Sequence, residues 1–300
     1  MIKQAEVFVY EAGEVPCYFI KRDEFFYRDY LYSTPKGDYE DNATRFVFFS
    51  RAVVEFILKS GIEFNIIHCH DWQSALVPVY LKTLYRQEPI FKKTRSILTI
   101  HNLGYQGVFW KWDIKQIGLD WSYFTPEYLE YYGKVNFLKG GIVFADKITT
   151  VSPSYAKEIQ TPEFGEGLEG VLRKRAKDIV GILNGIDYSI WNPETDTKIP
   201  ANYSPADLSG KSICKKVLKR ELGLSDEDKP IVGCVSRLAY QKGVDIIAGA
   251  MKDIVDMGFQ LVILGTGEEK YQEILRKEGE KFSGKVAVRI EFNDELAHKI

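Results

Sequence analysis

The stretch Lys229-Pro230-Ile231-Val232-Gly233-Cys234-Val235-Ser236-Arg237-Leu238-Ala239-Tyr240-Gln241-Lys242-Gly243 decides the fold. Ile231 to Val235 is a short apolar run of the kind that becomes a buried parallel strand, and Val244 to Val255 carries apolar residues at helical spacing. A second apolar run, Phe259 to Leu264, ends on Gly265-Thr266-Gly267, which completes a β-loop-α-β unit of an open α/β domain. Ligands of such domains bind at the carboxyl ends of the strands, and Arg237 and Lys242 sit just there. A planar guanidinium fork, a mobile ammonium and glycine-permitted backbone approach suit a phosphate or diphosphate, including one that departs with growing negative charge. The competing reading is a solvated loop after a buried strand. No G-x-G-x-x-G follows a strand and no G-x-x-x-x-G-K-[ST] occurs, so a dinucleotide enzyme or a P-loop ATPase is unsupported.

The 300 residues, 45% of them hydrophobic, suggest two domains with sizeable cores. Forty basic against 42 acidic side chains leave a net charge of −2 without a basic block, which argues against a nucleic-acid partner. No apolar run reaches the roughly 18 residues of a membrane span, and the first residues do not read as a signal peptide. The expectation is a cytoplasmic chain without a membrane partner. Cys17, Cys69, Cys214 and Cys234 lack C-x-x-C spacing; Cys69 and Cys234, in or beside apolar runs, read as small buried residues in a reducing compartment.

Before the deciding stretch, Glu6 to Tyr10 and Glu14 to Ile20 read as a hairpin or a pair of adjacent strands, followed by a polar, aromatic loop from Lys21 to Ala43 that includes Tyr30, Tyr32, Pro35-Lys36-Gly37 and Tyr39. Phe46 to Leu58 reads as a helix stopped by Gly61. Strand Phe64 to Cys69 runs into His70-Asp71-Trp72-Gln73 and helix Gln73 to Tyr85, and strand Ser96 to Ile100 runs into His101-Asn102-Leu103-Gly104-Tyr105-Gln106-Gly107. Adjacent parallel strands would bring the two imidazole-bearing loops to one edge. His68, His70 and Asp71 make a poor metal set, because consecutive strand side chains point oppositely and no further ligand is near in sequence. Asp71 is either a first-turn helix carboxylate or one that bonds a sugar hydroxyl or ordered water; His101 is either a satisfied histidine or a neutral donor to a sugar oxygen.

The segment Trp110 to Asn136 is expected to be loop-rich, either lining a cleft for a glucan chain or forming a lid packed by its own aromatic rings. Helix Phe137 to Ala145 contains Lys139-Gly140-Gly141, whose helical setting argues against a phosphate loop. Strand Lys147 to Val151 leads to a helix capped by Ser154. A glycine-rich loop from Thr161 to Gly170, helix 171–177 and strand Asp178 to Leu183 then close on Asn184-Gly185-Ile186-Asp187. We divide the chain into an amino-terminal domain over 1–187, a connection with a helix from Ser212 to Leu222 over 188–228, and a second domain over 229–300 with a last strand from Val286 to Phe292. Residues 229 to 300 should not complete a doubly wound sheet, and the first domain starts without an initial strand and glycine-rich turn. We therefore expect an internal piece of a longer protein.

Several segments, in order and in register, resemble the bacterial and plant-type glycogen/starch synthases. They are Gly37-Asp38-Tyr39 with Asn42 and Arg45-Phe46, His68 to Gln73, His101 to Gly107, Asn136 to Gly141, Thr161 to Leu168, Leu183 to Asp187, and Val235-Ser236-Arg237-Leu238 with Gln241-Lys242-Gly243. The resemblance implies an α/β protein of two Rossmann-like domains facing a cleft, the GT-B type. It implies transfer of glucose from ADP-glucose, or UDP-glucose, to the non-reducing 4-hydroxyl of an α-1,4-glucan with retention, without metal or cofactor. By resemblance Arg237 and Lys242 bind the donor diphosphate, with Asn184, Gly265, Thr266 and Gly267 helping to shape the donor site. His101 lies beside the donor glucose, Asp71 orders that pocket, and Tyr39, Tyr105 and Gln106 are acceptor-side candidates. The family's amino-terminal lysine-x-glycine-glycine loop is not found ahead of Met1, nor its glutamate-x-seven-glutamate region after Ile300. Neither Asp71 nor any glutamate of the 161–170 loop is assignable as a nucleophile from spacing; by resemblance to the family, same-face attack is expected in place of a covalent intermediate. The alternatives are a glucan-binding or regulatory fragment without turnover, or another retaining nucleotide-sugar glucosyltransferase of the same fold.

Overall fold

The structure, a computed structural model, describes residues 4–34 and 37–300; Pro35 and Lys36 of the expected aromatic loop lie outside the described residues. Two compact units divide between Asn184 and Gly185, inside the Asn184-Gly185-Ile186-Asp187 segment.

In the first unit, β1 (Glu6–Ala12) and β2 (Val15–Lys21) form the expected antiparallel hairpin. The next segment holds α1 (Asp23–Phe26) and a small hairpin of β3 (Ser33–Thr34) and β4 (Gly37–Asp38), then α2 (Asn42–Ser60). Gly61 stops α2 in the left-handed region, at φ 69°, where a side chain would be strained. The segment before α2 is tied to it by buried Arg45, which donates to the carbonyls of Phe25 (2.7 Å) and Leu31 (2.8 Å) and to Asn42 Oδ1 (2.7 Å). A buried guanidinium keeps its charge only where such acceptors surround it.

The central sheet of this unit is parallel, in the order β11-β10-β6-β5: β5 (Ile66–His70), β6 (Arg95–Ile100), β10 (Lys147–Thr150) and β11 (Ile179–Gly181). Its core face carries Cys69, Leu98, Ile100 and Ile148 against α4 (Leu76–Lys82) and α6 (Phe137–Phe144). Asp71–Ser74 forms α3, so helix begins at Asp71, earlier than the pattern suggested, and breaks before α4. In α6, Cβ atoms added to Gly141 would meet Ala75 Cβ at 2.8 Å and Leu98 Cδ2 at 2.9 Å. Lys139-Gly140-Gly141 is therefore a packing surface, with the ammonium of Lys139 donating to the carbonyls of Pro126 (2.7 Å) and Glu130.

The region expected to be loop-rich builds its own antiparallel sheet, order β7-β9-β8, from β7 (Val108–Trp110), β8 (Glu130–Tyr131) and β9 (Lys134–Asn136), with α5 (Ile114–Ile117) between β7 and β8. Trp110, Trp112, Trp121 and Phe124 follow one another edge to face at centroid distances of 5.1–6.1 Å, while the three tryptophans remain exposed. Helix α7 (Pro153–Glu158) is capped by Ser152, whose Oγ accepts from the Tyr155 amide. Pro153 is already preorganised as the first helical residue, so the cap falls on the serine before it and not on Ser154. After α8 (Glu169–Lys174), β11 completes the unit.

The second unit contains α9 (Ser209–Leu222), β12 (Ile231–Val235), α10 (Val244–Asp256), β13 (Gln260–Leu264), α11 (Glu269–Glu280), β14 (Val286–Arg289) and α12 (Asp294–Lys299). The strands pair in parallel as β12-β13-β14, with β13 fully buried. Helix α11 was not anticipated, because charged residues dominate its sequence; Tyr271, Leu275 and Gly279 are its buried face. The segment before α9 is fastened to α12: His298 Nδ1 lies 2.6 Å from Asp196 Oδ2, and its ring stacks on Trp191 at 3.9 Å and 8°.

Candidate active site

The carboxyl edge of the first sheet collects what the sequence placed on two loops. His70 pairs in register with Thr99, two residues before His101, so the side chains of His68, His70, Thr99 and His101 share one face. Residues two apart in a strand point alike, so the alternation that argued against a set of His68, His70 and Asp71 leaves the two histidines together. Their rings lie 4.3 Å apart, and His70 Nδ1 is 3.0 Å from His101 Nε2. His68 Nε2 is 2.6 Å from Thr99 Oγ1, which is 2.6 Å from Thr149 Oγ1. Burial pushes the pKa of His70 below its ordinary value; His68 and His101 push the same way, against Asp71. Among the described residues no group of three or more His, Cys, Asp or Glu side chains is arranged to hold a metal ion.

Asp71 acts on the His101 loop directly. Its Oδ1 accepts from the His101 amide at 2.8 Å, and its own backbone is held at φ 52°, a region Asp tolerates better than most residues. Tyr155 Oη accepts from the Leu103 amide at 3.0 Å, and the Gln106 and Gly107 carbonyls accept from the first amides of α6. A Cβ at Gly107, which has φ 62°, would lie 2.5 Å from Trp72 Cε3. Loop 101–107 is thus pinned at both ends by neighbouring strands and helices.

The acceptor-side candidates separate. Gln106 is buried and spent on structure: its Oε1 accepts from Asn136 Nδ2 (2.6 Å) and its Nε2 donates to the Glu166 carbonyl (3.0 Å). Tyr39 lies under two guanidinium groups, Arg28 at 4.6 Å and Arg45 at 5.1 Å from its ring centroid, and is half-buried. Tyr105 is exposed. Asn184, after β11, is also exposed at the carboxyl edge of the sheet.

In the second unit the chain leaving β12 runs beside the chain leaving β13. The Leu238 amide donates to the Thr266 carbonyl and the Glu268 amide to the Leu238 carbonyl, both at 2.8 Å. Cβ atoms at Gly265 and Gly267 would lie 1.9 Å from the Ser236 carbonyl oxygen and 2.1 Å from that of Leu238. These glycines admit the protein's own backbone, a different reason from the approach of a phosphate. The result holds Arg237 and Lys242 at the strand edge, both exposed, with Gly243 (φ 63°) opening α10 beside them. A groove between the β1–β2 hairpin and α2, lined by Val7, Arg22, Arg51 and Glu55 among others, contains none of these residues.

The profile of the family described as "Starch synthase catalytic domain" matches residues 1–174. The chain belongs to this family. A second profile, "Glycosyl transferases group 1", matches residues 216–296. A glycogen synthase of Geotalea uraniireducens is 49% identical over 289 residues, covering 96% of this chain and 60% of that protein. The solved catalytic domain of starch synthase IV from Arabidopsis thaliana, bound to ADP and acarbose, is 35% identical with a TM-score of 0.88 over 99% of this chain and 61% of the solved one. A trehalose-phosphate synthase of Burkholderia xenovorans in complex with glucose-6-phosphate aligns at a TM-score of 0.53 and 10% identity, over 99% of this chain and 67% of that one, a likeness of fold alone. The chain thus has the α/β architecture of two Rossmann-like units and spans about three fifths of the length of the curated relatives it matches. Among the described residues no helix is long and apolar enough to cross a membrane.

His70 and Tyr155 were missed as site residues. A signal for His70 was present: period-two alternation together with the parallel pairing of two strands that both end in histidine. Tyr155 had none, because its contact with Leu103 depends on how α7 packs.

Proposed function

We propose that the chain carries machinery of a glycogen or starch synthase, transferring glucose from ADP-glucose to the non-reducing 4-hydroxyl of an α-1,4-glucan with retention. The observation that carries the reading is the fixed His101 loop, held by Asp71 at the carboxyl edge of a parallel sheet in a chain of this family. Arg237 and Lys242 grip the donor diphosphate, and their charge opposes the charge growing on it as it leaves. Asn184 in the first unit and Gly265, Thr266 and Gly267 in the second are the further donor-binding candidates. Residues 1–187 serve the acceptor side, 188–228 connect, and 229–300 serve the nucleotide sugar. Of the acceptor candidates, exposed Tyr105 is the one assigned to meet a glucan; Tyr39 and Gln106 are engaged by the protein's own groups.

In the reaction the bond from the anomeric carbon to the phosphate oxygen breaks and one to the acceptor 4-oxygen forms on the same face. The acceptor proton passes to the departing phosphate. His101 donates to a sugar oxygen near the reacting carbon, and Asp71 holds the loop that presents it. Asp71 accepts a backbone amide, which suits it to ordering the site and not to attack. Trapping a covalent glucosyl-enzyme on Asp71 would sink this part of the account.

The test is incubation with glycogen and either ADP-glucose or UDP-glucose, with nucleotide release and the anomeric configuration of the product followed by NMR. The reading expects an α-linked product, with activity reduced by about 3 kcal/mol of transition-state stabilisation in Arg237→Ala or Lys242→Ala. Glycogen binding with no nucleotide release from either donor would instead favour a glucan-binding role. Transfer to a different acceptor only would favour another glucosyltransferase of the fold.

A further inference from the structure

The His70–His101 contact has a polarity that the site's chemistry decides. Two imidazole nitrogens 3.0 Å apart, His70 Nδ1 and His101 Nε2, form a hydrogen bond only if one carries a proton and the other a lone pair. Asp71 bonds the His101 backbone amide, so it fixes the loop without fixing the ring. With Nε2 of His101 spent on His70, Nδ1 is the ring nitrogen left for a ligand. To donate to a sugar oxygen, that nitrogen must carry the proton, and Nε2 must then accept.

We propose that His70 is a positioning residue that donates its Nδ1–H to His101 Nε2 and thereby holds His101 in the tautomer protonated at Nδ1. The role in transfer rests on the function proposed above; the tautomer does not. His70 is placed for this by the parallel pairing of β5 with β6 and by contacts on its other sides. The Ser74 hydroxyl accepts from the His70 amide (2.7 Å) and donates to its carbonyl (2.8 Å). The His68 ring packs against it, itself anchored through Thr99 to Thr149. The charged or titratable groups acting on His70 are His68, His101 and Asp71; burial, the largest cause, and the two histidines hold the His70 pKa below its ordinary value, against Asp71.

Nitrogen-15 NMR of the histidine rings in the 300-residue chain reads the tautomer directly. The expected result is a protonated Nδ1 and an unprotonated Nε2 on His101. His70→Asn, whose amide nitrogen reaches the place of Nδ1, preserves that pattern, whereas His70→Phe releases His101 to a mixture of tautomers. In the transfer assay His70→Phe lowers kcat about tenfold with donor KM little changed, and His70→Asn restores most of it, the size expected for one hydrogen bond. A wild-type His101 protonated at Nε2, or identical behaviour of the Asn and Phe variants, overturns the proposal. If His70→Phe does not fold, the wild-type tautomer decides alone. Absence of transfer by the wild-type chain would count against the proposed function while leaving the tautomer result to judge this inference.

Discussion

Substitutions at Asp71 separate backbone strain from hydrogen bonding at the site's hinge point. The residue sits at φ 52° and its Oδ1 accepts from the His101 amide at 2.8 Å. Alanine in the left-handed region costs about 1 kcal/mol relative to a residue that tolerates it. The lost bond costs about another 1 kcal/mol, at the modest end because the contact lies at an exposed edge. Asp71→Ala therefore costs about 2 kcal/mol, roughly thirtyfold in a local opening equilibrium. Asp71→Gly loses the bond but not the backbone freedom and costs about 1 kcal/mol. Asp71→Asn keeps an acceptor and tolerates the backbone, so it stays within about 0.5 kcal/mol of the parent. Hydrogen exchange at the His101 amide measures all three, and the opening rates should rank Asn, Gly, Ala from slow to fast. Equal exchange in Gly and Ala would refute the strain argument, and equal exchange in Asn and Ala would refute the bond.

Gly267→Ala places a Cβ 2.1 Å from the Leu238 carbonyl oxygen and should lower stability by about 3 kcal/mol in a thermal melt. In contrast Gly249→Ala, whose Cβ meets open space within α10, should raise stability by about 0.5–1 kcal/mol. Gly141→Ala should destabilise the first unit by about 2 kcal/mol through contact with Ala75 and Leu98, without changing nucleotide binding measured by calorimetry. The pKa of His70 is lowered on folding, so the unfolded chain binds more protons below about pH 6.5 and stability should fall as pH drops from there, a loss that His70→Asn removes. Burial pushes the Asp196 carboxyl up, but bonds from His298 and the Lys198 amide outweigh it and hold it below its ordinary value. Its contribution is present above about pH 4 and lost as pH falls through the folded value, which Asp196→Asn unfolding curves would show as a flattened acid limb.

Legibility followed how local each cause was. Strands β6 and β13 were readable because a buried parallel strand is an apolar run, and α2 because its stop is a left-handed glycine that any helix end can use. The apolar run Ile231 to Val235 also forms a parallel strand, but β12 lies at the edge of its sheet and is largely exposed, not buried as expected, and β5 is likewise an edge strand with Cys69 alone buried. Helix α11 was not, since only Tyr271, Leu275 and Gly279 face inward and the rest is solvated charge. The three-stranded sheet β7-β9-β8 pairs short strands across a long insertion, and strands of two or three residues leave no period to read. At the site, the meeting of loops 70–73 and 101–107 followed from strand parallelism. The commitment of Gln106 and Tyr39 to structure did not, because a polar or aromatic side chain in a loop gives no sign of whether its partner is a ligand or the protein's own backbone and guanidinium groups. Likewise Gly265 and Gly267 were seen as permissive, but the atoms approaching them belong to Ser236 and Leu238.

Calorimetric titration of ADP into the 300-residue chain, beside Arg237→Ala and Lys242→Ala, tests the diphosphate grip without depending on an acceptor. The account predicts that ADP binds, that AMP binds more weakly, and that each substitution lowers ADP affinity at least tenfold, the loss expected for one charge-assisted contact to phosphate. ADP affinity unchanged by both substitutions would contradict it.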